Sequence, residues 1–567
     1  MNGTQWILFI LIVQIIHFLG TWKLYVKAGR KAWEAAVPIY NAVVLMQIIN
    51  RPKWWVILLF IPIINLLMFP VIWVETIRSF GKNTLLDTWL VILSLGFYIY
   101  YVSYALDVNY VEDRSKNPRT ALGEWVSSIV FAIVAATLVH TYFMQPYVIP
   151  TGSLEKTLLI GDFLFVSKFH YGARAPMTTV AAPMVHDTIP GLGIRSYLNK
   201  PQLPFFRLPG LQKIKRNDIV VFSWPADTVR VFFKAEEGVK KPIDKKSNYV
   251  KRCVGLPGDS LSIIDGYVHV NGKKTVLPDR AKPQYTYAIY ANKGVSSRLL
   301  LESGATEFNR KYVSSALNQN QYNAISGYLV GANQTPDGKV ELYTKYQGIP
   351  TNVIRKNSLS LKEITERQRI VTLTEKLAAK IENNSAVDSV IKQLDPSGVW
   401  NNRIFPHSPD YAWNNDNFGP MYIPEAGKTV PLNLKVLPLY KKIIKDYEKN
   451  TISVSGNQIS INGKVTDSYT FKQNYYWMMG DNRNRSEDSK FWGYVPENHI
   501  VGKPVFIWMS IEGINDGLKN WKPRWDRFFT TVGGDGEPRS YFRYFLILLA
   551  GWFVFDFFRK RRKKNKV

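Results

Sequence analysis

The amino-acid sequence predicts a membrane protein in which N-terminal transmembrane helices precede a mostly antiparallel β domain with an α+β insertion, and a C-terminal transmembrane helix follows. Three observations in the 567 residues support this fold class. Several apolar stretches are long enough to cross a bilayer. Between them, apolar and polar residues alternate in short runs that are typical of strands. A charged, helix-favouring stretch interrupts those runs.

The apolar stretches lie near the two ends of the chain. About 20 apolar residues cross a bilayer, and stretches of roughly this length occupy 5–22, 54–74, 86–106, 125–144 and 541–558. The first stretch has no basic residue before it and no clear Ala-x-Ala site after it. We therefore expect an uncleaved anchor there.

The charges of the loops predict the orientation in the membrane. Segment 23–53 contains six basic residues and a single acidic residue, Glu34. Basic loops stay in the cytoplasm, so alternation places 107–124 inside and 145–540 outside, and the basic tail 559–564 returns to the cytoplasm. We expect a multi-pass protein of the cytoplasmic (inner) membrane whose large domain faces the periplasm.

Composition narrows the classes of partner and cofactor. The formal net charge is +28, but the basic residues flank apolar spans and form no single stripe, so we expect membrane lipids and no nucleic acid as partners. The single cysteine, Cys253, excludes an intrachain disulfide and a cysteine cluster for zinc. Without a ligand cluster or a phosphate-cradling glycine loop, we expect no metal and no cofactor.

Alternating runs in the outer region predict strands at 219–222, 260–264, 267–270, 452–455 and 458–462. Turn pairs such as Asp265-Gly266 and Asn271-Gly272 bound them. Segment 358–395 breaks this pattern, since its charged runs 365–369 and 375–382 favour helix. It indicates a helical or mixed insertion in the β domain.

The predicted organisation has six segments. They are a multi-span membrane region over 1–124, a transmembrane anchor over 125–144, a β domain in two parts over 145–279 and 451–540, an outer insertion over 280–450, and a C-terminal helix with its basic tail over 541–567.

Three separated segments contain residues suited to nucleophilic catalysis, and the first is Ile149-Pro-Thr-Gly-Ser153. Ser153 lies only nine residues beyond the fourth apolar stretch. Gly152 lacks a Cβ, which lets a substrate backbone approach the serine. Alone, the segment is equally consistent with a plain turn between a helix and a strand.

The second segment, Tyr249-Val-Lys-Arg-Cys-Val-Gly255, places Lys251 among apolar residues of a predicted strand. Burial there would lower the lysine pKa and leave a neutral amine that can take a proton from a serine hydroxyl. The alternative is a lysine whose stem covers apolar surface while its ammonium stays in water.

The third segment begins with Gly480-Asp-Asn-Arg483, which predicts a tight hydrogen-bonded loop after a buried strand. Asp481 and Asp488 could pair with Arg252 or Arg483. A loop held together by salt bridges is the structural interpretation of these charges.

Taken in this order after an apolar span, the segments resemble the bacterial type I signal peptidase family, serine peptidases with a Ser–Lys dyad. The motifs are Ile-Pro-Thr-Gly-Ser…Thr-Leu-Leu-Ile-Gly-Asp, Arg-Asn-Asp-Ile-Val-Val-Phe, Tyr-Val-Lys-Arg-Cys-Val-Gly-Leu-Pro-Gly-Asp and Gly-Asp-Asn-Arg…Ser-x-Asp-Ser. The resemblance covers roughly 125–270 and 470–510 and leaves out the insertion. It implies an endopeptidase that removes N-terminal signal peptides from exported preproteins, with those peptides and the protein-export machinery as partners.

The resemblance also implies roles for residues at matching positions. Ser153 would be the nucleophile, Lys251 the general base, and Thr151 an oxyanion donor beside the Ser153 backbone N–H, while Ser486 would orient the lysine amine. Shallow apolar pockets for small side chains would be lined by Tyr147, Ile149, Leu154 and Val250. The loop would be scaffolded by Arg252, Asp481, Arg483 and Asp488.

The sequence departs from the family pattern near the nucleophile and in the third motif. The family often has Ser-Met-x-Pro-Thr, where this chain has Ser153-Leu-Glu-Lys-Thr157, so Glu155 and Lys156 add two charges. In the third motif Asn484 and Arg485 replace the commoner Asp-Asn, and Lys490 replaces an arginine. None of these positions carries a proposed catalytic role.

Three other functions stay open at this stage. A Ser–His hydrolase would use His170 or His499, although neither has a paired acid at a suggestive spacing. A catalytically silent binding or scaffold protein could use the same fold. The third is a membrane receptor or transporter: few charges lie within the apolar stretches, which argues against a transporter, whereas the large outer insertion leaves a partner-binding role open.

Overall fold

The computed structural model describes residues 3–115, 120–227 and 238–564. The chain divides into two compact units, Met1–Gln145 with Ser167–Lys213 and Ala226–Asn248, and Pro146–Val166 with Ile214–Pro225 and Tyr249–Val567. Parts of the predicted segments 1–124, 145–279 and 541–567 lie outside the described residues, namely 1–2, 116–119, 228–237 and 565–567.

The first unit begins with helices. They are α1 (Gly3–Lys27), α2 (Tyr40–Ile48), α3 (Trp55–Leu58), α4 (Ile64–Arg78), α5 (Leu85–Leu93), α6 (Tyr98–Tyr104) and α7 (Ala121–Leu138). A π-helical turn over Val139–Phe143 continues α7. Within the described residues, two helices are long and apolar enough to cross a membrane, Thr4–Lys27 and Ala121–Phe143. They coincide with the first and fourth predicted spans.

The two predicted spans between them do not form continuous helices. The prediction of one span over 54–74 is wrong, because the chain leaves helix between α3 and α4 at Pro62, which has no N–H to donate, and at Ile63, whose φ is +71°. Over 86–106, α5 and α6 are bent by 119°, a broken span or a re-entrant loop. The bend lies at Leu95 and Gly96, both with positive φ.

An ion-paired cluster is buried within this first unit. Glu75 is 6% exposed and accepts hydrogen bonds from Arg51 at 2.8 Å and from Arg114. Around it, apolar residues of α1, α2, α4, α5 and α6 form one packed core. These helices are therefore held to each other by packing as well as by polar contacts.

The second unit is mostly antiparallel β, as predicted. Its largest sheet has the strand order β1 (Met144–Val148), β2 (Asp162–Ser167), β23 (Ile500–Glu512), β3 (Ile219–Ser223), β4 (Asn248–Gly255), β21 (Tyr475–Met479) and β22 (Val495–Pro496). Two short strands, β24 (Lys522–Pro523) and β25 (Thr530–Thr531), also pair with β23.

Two three-stranded meanders repeat one design. The first is β5 (Ser260–Ile264), β6 (Tyr267–Val270) and β7 (Lys273–Lys274), and the second is β17 (Ile452–Ser455), β18 (Gln458–Ile461) and β19 (Lys464–Val465). In each, an asparagine with positive φ, Asn271 or Asn462, accepts a hydrogen bond from the backbone N–H eleven residues earlier. The two similar hairpins and the five strands expected from the sequence are confirmed.

The region expected to be an insertion contains strands and helices. The strands are β8 (Gln284–Val295), β9 (Asn309–Ser314), β10 (Leu329–Gln334), β11 (Val340–Lys345), β12 (Lys362–Glu363), β13 (Glu366–Thr374), β14 (Ser389–Lys392), β15 (Phe418–Tyr422) and β16 (Thr429–Pro431). The helices are α8 (Ser297–Ser303), α9 (Gln319–Ile325), α10 (Thr351–Lys356), α11 (Glu375–Glu382) and α12 (Leu437–Lys442).

Pairing overrides local propensity in part of this region. The expectation of helix at 365–369 is wrong, because β13 pairs antiparallel with β8 and this tertiary pairing decides the local conformation. The expectation of helix at 375–382 is confirmed by α11. Strand β15 pairs with β5, which joins the end of this region to the first meander.

The remaining elements complete the second unit. They are β20 (Ser468–Thr470), α13 (Ser489–Trp492) and α14 (Phe542–Lys564). Helix α14 contains the C-terminal apolar stretch and exposes many large apolar side chains, such as Ile547 and Leu548. Arg543, Asp556 and Arg559 make it less apolar than the two N-terminal helices.

Candidate functional site

The nucleophile candidate and the base candidate lie side by side in the second unit. Ser153 is in a short 3-10 turn, Gly152–Leu154, that follows β1. Lys251 is in the middle of β4. The Lys251 Nζ donates a hydrogen bond to Ser153 Oγ at 2.6 Å. Both side chains are buried, with Ser153 9% and Lys251 2% exposed.

Burial also sets the protonation of the amine. Loss of hydration lowers the pKa of Lys251 to about 8, although the nearby carboxylates of Asp488, Glu487 and Asp481 act in the opposite direction. A substantial fraction of this lysine is therefore neutral near pH 8. A neutral amine that faces a serine hydroxyl at hydrogen-bonding distance can act as a general base.

An aromatic cluster lies beside the amine. The Lys251 Nζ is 5.3 Å from the ring centroid of Tyr249, and this ring contacts Trp224 and Trp492 with centroids 5.0 Å and 5.4 Å away. Sequence reasoning missed these three residues as neighbours of the base. Tyr249 is two residues from Lys251 on one strand, so strand alternation already placed both side chains on one face.

Alternation along β4 places the next residue on the opposite side. Arg252 makes a two-point contact with Asp481, from Nε to Oδ1 at 2.8 Å and from Nη2 to Oδ2 at 2.6 Å. The Arg252 guanidinium holds the pKa of Asp481 below its usual value in spite of burial. Thr157 Oγ1 donates to the same carboxylate at 2.6 Å. The predicted pairing of Arg252 with Asp481 is present.

The loop after β21 is fixed by a second carboxylate. Asp488 accepts hydrogen bonds from the backbone N–H of Gly480 and of Lys490, each at 3.1 Å. The Lys490 ammonium in turn donates to the carbonyl of Arg483 at 2.7 Å. Asp488 and Lys490 therefore close the loop on itself with the Arg483 side chain buried inside it.

The same loop contacts the backbone carbonyl of the nucleophile, Ser153. The backbone N–H of Asn482 donates to the carbonyl of Ser153 at 3.1 Å. A Cβ on Gly480 would lie 2.5 Å from that carbonyl oxygen and 2.2 Å from Ser486 Oγ. Only glycine fits here, because contacts below 3.0 Å do not occur between real side chains and backbone. The close approach explains the glycine at the start of the third motif.

Ser486 differs from its expected role in one respect. Its hydroxyl is buried, and it makes no hydrogen bond to Lys251 or to any other group in the described part of the chain. A buried hydroxyl without a partner costs about 1–3 kcal/mol. A buried polar group without a hydrogen-bond partner is consistent with a role at a functional site, where its partner is present only in part of the reaction.

The predicted pocket residues lie together in one apolar cluster. Ile149 and Leu154 are 3% and 1% exposed and pack with Leu158, Leu164 and Val501. Tyr147 and Val250 are half-buried at the edge of the same cluster. The first pair therefore lies in the core of this cluster, and the second pair lies at its partly exposed edge.

Thr151 precedes the nucleophile in extended backbone and is exposed. Its hydroxyl is thus accessible to a bound substrate.

The two charged residues that follow the nucleophile, Glu155 and Lys156, also have defined positions. The Glu155 carboxylate lies 3.3 Å from where a Cβ on Gly152 would be, and Lys156, with a φ of +68°, reaches Thr306 of the predicted insertion at 2.5 Å.

The insertion also touches the third motif directly. The backbone N–H of Gln284, at the start of β8, donates to the Asp481 carbonyl at 2.8 Å, and Arg483 N–H donates to the Gln284 carbonyl at 3.0 Å. Asn484 Oδ1 accepts from the Thr286 N–H at 3.2 Å. Sequence reasoning did not foresee this contact, although Asn484 is one of the departures noted above.

The two histidines of the rival hydrolase have other partners. His170 Nδ1 lies 2.5 Å from Ser167 Oγ, and His499 Nδ1 lies 2.7 Å from Asn498 Oδ1. The hydrogen-bond partner of Ser153 Oγ is Lys251. The geometry therefore favours a serine–lysine pair over a serine–histidine pair.

Comparisons with known proteins match most of the β domain and part of the membrane region. The family described as "Signal peptidase, peptidase S26" matches residues 122–335 and 425–509, just over half of the chain. A "Family of unknown function (DUF5684)" matches residues 33–113. The match to this second family covers α2 to α6.

Curated relatives agree with the first of these families. A protein named signal peptidase I from Haemophilus influenzae is 23% identical over 74% of this chain and 79% of its own length. A protein of the same name from Buchnera aphidicola is 23% identical over 67% of this chain and 74% of its own length. One from Rickettsia massiliae is 31% identical over a shorter match, 28% of this chain and 47% of the relative.

Proposed function

The chain belongs to the signal peptidase S26 family, and from this premise we propose that it is a serine endopeptidase that removes N-terminal signal peptides from exported preproteins with Ser153 and Lys251 as its catalytic dyad. Family membership supports the reaction. The observation that supports the dyad is the buried 2.6 Å hydrogen bond from Lys251 Nζ to Ser153 Oγ.

The neutral Lys251 amine takes the Ser153 hydroxyl proton as Oγ attacks the scissile carbonyl carbon. The negative charge that develops on the carbonyl oxygen is stabilised by the Ser153 backbone N–H and the Thr151 hydroxyl. The ammonium then protonates the leaving amine, and an acyl-enzyme remains. Lys251 next takes a proton from water, which hydrolyses the ester and frees the signal peptide.

The neighbouring residues position this dyad. Ser486, whose hydroxyl is buried beside the Ser153 carbonyl, would donate to or accept from the lysine amine as its charge changes. The Arg252–Asp481 ion pair, the buried Arg483 and the Asp488 carboxylate would hold the loop that supports Ser153. Small side chains of the substrate would rest on Tyr147 and Val250 above the floor of Ile149 and Leu154.

The membrane-spanning segments support a location in the cytoplasmic membrane. The basic segment 23–53 begins in the last turns of α1 and continues into the loop between α1 and α7, which favours the cytoplasm for that loop. With two spans, as with the four expected, 145–540 would lie on the periplasmic side. Helix α14 would cross the membrane again and return the basic tail to the cytoplasm. Lipids would surround α1, α7 and α14. The protein-export machinery would deliver the substrates.

The six predicted segments stand as the proposed domain organisation. The β domain in two parts, 145–279 and 451–540, would carry catalysis, and 280–450 would be a periplasmic insertion that braces the third motif through Gln284. Segments 1–124, 125–144 and 541–567 would anchor the enzyme. No metal or organic cofactor enters the proposed reaction.

The decisive experiment uses the purified full chain in detergent and a preprotein with an Ala-x-Ala site. The parent is expected to cleave after the final alanine, and Ser153→Ala and Lys251→Ala are each expected to lose about 10²–10⁴-fold or more in rate. Lys245→Ala is the matched control, because Lys245 is also buried with a lowered pKa.

Each alternative has its own outcome. Cleavage that survives Lys251→Ala would direct attention to His170 and His499. A folded parent without activity on any preprotein would favour a catalytically silent scaffold on the same fold.

A further inference from the structure

The chain between the two long apolar helices either crosses the membrane or enters it and returns. We call residues 28–115 the middle segment, which contains α2 to α6 and the match to the family of unknown function. If the predicted spans 54–74 and 86–106 both crossed, loop 79–84 would lie on the opposite side of the membrane from the chain after α6. The contacts of this loop therefore distinguish the two arrangements.

Loop 79–84 contacts the chain that follows α6. The Val111 N–H donates to the Ser79 carbonyl at 2.9 Å, and Arg114 Nε donates to Ser79 Oγ at 3.0 Å. The Arg114 guanidinium also contacts the buried Glu75 carboxylate, one turn before the loop. The hydrocarbon core of a bilayer is about 30 Å thick. Residues that share these hydrogen bonds therefore lie on the same side of it.

The other polar loops gather at the same level. Arg114 donates to the carbonyl of Ile49, just after α2, at 3.0 Å. Lys27, the last residue of α1, makes an ion pair with Asp107, after α6, at 3.7 Å. The ends of α1, α2, α4 and α6 therefore share one side of the membrane.

The turns at the opposite ends of the helices are apolar. Between α3 and α4 the chain reads Phe60-Ile-Pro-Ile63, and Phe60 is 61% exposed. Between α5 and α6, Leu95 and Phe97 are 72% and 57% exposed. Turns in water are rich in Gly, Asn, Asp and Ser, whereas exposed clusters of large apolar side chains mark contact with a protein or a membrane. Both turns therefore fit the hydrocarbon core better than an aqueous surface.

The backbone of the α5–α6 turn suits the same environment. An unpaired backbone N–H is strongly unfavourable in hydrocarbon. The N–H groups of Leu95, Gly96 and Phe97 donate to preceding carbonyls at 3.0, 2.8 and 3.1 Å, respectively. The Tyr98 N–H donates to Ser94 Oγ at 2.9 Å. The chain thus reverses direction with the N–H groups of these four positions paired.

The middle segment covers α1 over only part of its length. Gln14 Nε2 donates to the Ala35 carbonyl at 3.1 Å. Before Gln14, the large apolar side chains at 7–13 are 43–62% exposed. At 1.5 Å per residue, Gln14 lies about 20 Å from Lys27 at the polar end of the helix. This depth is less than the roughly 30 Å that a membrane span crosses.

We propose that α3–α4 and α5–α6 are two re-entrant hairpins, which enter the membrane from the side where α1 ends and return to that side. The predicted spans 54–74 and 86–106 then do not cross. Loops 49–53, 79–84 and 107–115 form one polar face, joined by the contacts of Glu75 and Arg114. The proposal concerns which loops share a side, so it depends neither on the peptidase reaction nor on the orientation of α1.

Cysteine accessibility tests the hairpins in the full chain. Because Cys253 is fully buried, an introduced exposed cysteine can be labelled selectively. Asn83→Cys reports on loop 79–84, and Glu112→Cys is the matched reference after α6. Gln334→Cys is the reference beyond α7, in the large outer domain. All three native side chains are exposed. Spheroplasts that express each variant are treated with a membrane-impermeant maleimide, either intact or after permeabilisation.

Positions 83 and 112 are expected to react only after permeabilisation, whereas position 334 is expected to react in intact spheroplasts. Labelling of position 83 in intact spheroplasts together with position 334, but not 112, would show that both predicted spans cross and would overturn the proposal. Absence of labelling at position 83 even after permeabilisation would place the loop away from water and would also overturn it.

A third result separates the hairpins from the orientation of the enzyme. Labelling of positions 83 and 112 in intact spheroplasts, with position 334 protected, would reverse the orientation proposed above and would still support the hairpins. Size-exclusion chromatography and thermal unfolding in detergent establish that each variant is folded.

Discussion

Lys251 Nζ and Ser153 Oγ lie 2.6 Å apart although 98 positions separate the two residues in the sequence. Ser153 follows β1 and Lys251 lies in β4, and β2, β23 and β3 lie between these two strands in the sheet. The lowered pKa of the Lys251 amine and the close packing of Gly480 against the Ser153 carbonyl lead to separate predictions.

The rate of cleavage should rise with pH through about 8 and then level off. Below that pH Lys251 carries a proton and cannot accept one from Ser153, whereas above it the neutral amine predominates. The measurement is kcat/KM against pH for a short peptide substrate. A profile that stays flat between pH 6 and 9 would contradict this role of the lysine. This window extends about one to two pH units to either side of the lysine pKa.

Glu487→Gln should move that rise to lower pH. The exposed Glu487 carboxylate stabilises the protonated lysine, so its removal lowers the pKa of Lys251 by on the order of a few tenths of a unit. The shift should shrink in high salt. Glu382→Gln, which removes an equally exposed carboxylate on α11, should leave the profile in place.

Glu155→Gln should increase turnover only above about pH 7. Burial, together with the nearby Glu307 carboxylate, raises the pKa of Glu155 to about 7, so the parent gains a negative charge next to Gly152 above this pH. That charge opposes the oxyanion that forms at Ser153. The ratio of variant to parent kcat/KM should therefore rise through pH 7, while Glu155→Asp should follow the parent.

Thr151→Val should reduce turnover by about 10²–10³-fold, the usual effect of losing one oxyanion donor. Folding should be unaffected, because Thr151 is exposed and its side chain has no capping hydrogen bond. Thr151→Ser keeps the hydroxyl and should retain most activity. If Thr151→Val cleaves at the same rate as the parent, the second oxyanion donor is a group other than Thr151.

Gly480→Ala should abolish cleavage and lower the unfolding temperature. The added methyl group would lie 2.2 Å from Ser486 Oγ and 2.5 Å from the Ser153 carbonyl oxygen, and relief of the second contact would displace the backbone of the nucleophile. Gly327→Ala is the control, because no atom lies within 4 Å of its added methyl group. Thermal unfolding and the peptide assay measure both effects.

Arg252→Met should reduce the free energy of unfolding by about 3–5 kcal/mol, since it leaves the buried Asp481 carboxylate unpaired. Arg252→Lys should not restore it, because an ammonium cannot make the two-point contact. Denaturant unfolding in detergent measures the loss. Arg298→Met, which breaks an exposed ion pair with Glu302, should leave stability unchanged.

The sequence was most informative where residue type and spacing are tied to one geometry. Turn pairs such as Asn271-Gly272 require positive φ, so the strands beside them were predictable. Lys251 within an apolar strand indicated a buried amine, and Arg252 could be named from its charge as a partner for Asp481.

Other features depend on tertiary pairing that local patterns do not encode. The break at Pro62 and Ile63 lies in a stretch as apolar as a continuous span. Strand β13 forms because β8 lies next to it, although its own residues favour helix. The Ser486 hydroxyl is buried without a hydrogen-bond partner among the described residues, and residue spacing does not specify the side-chain packing that buries it.

The contact between Asn482 and the Ser153 carbonyl affects the enzyme's own biogenesis. Residues near 153 and 251 leave the ribosome before those near 482. Until residue 482 is made, the Ser153 carbonyl lacks the N–H of Asn482. If the proposed dyad is the catalytic site, a shorter nascent chain would be inactive, and cleavage would begin only after nearly the whole β domain has been synthesised.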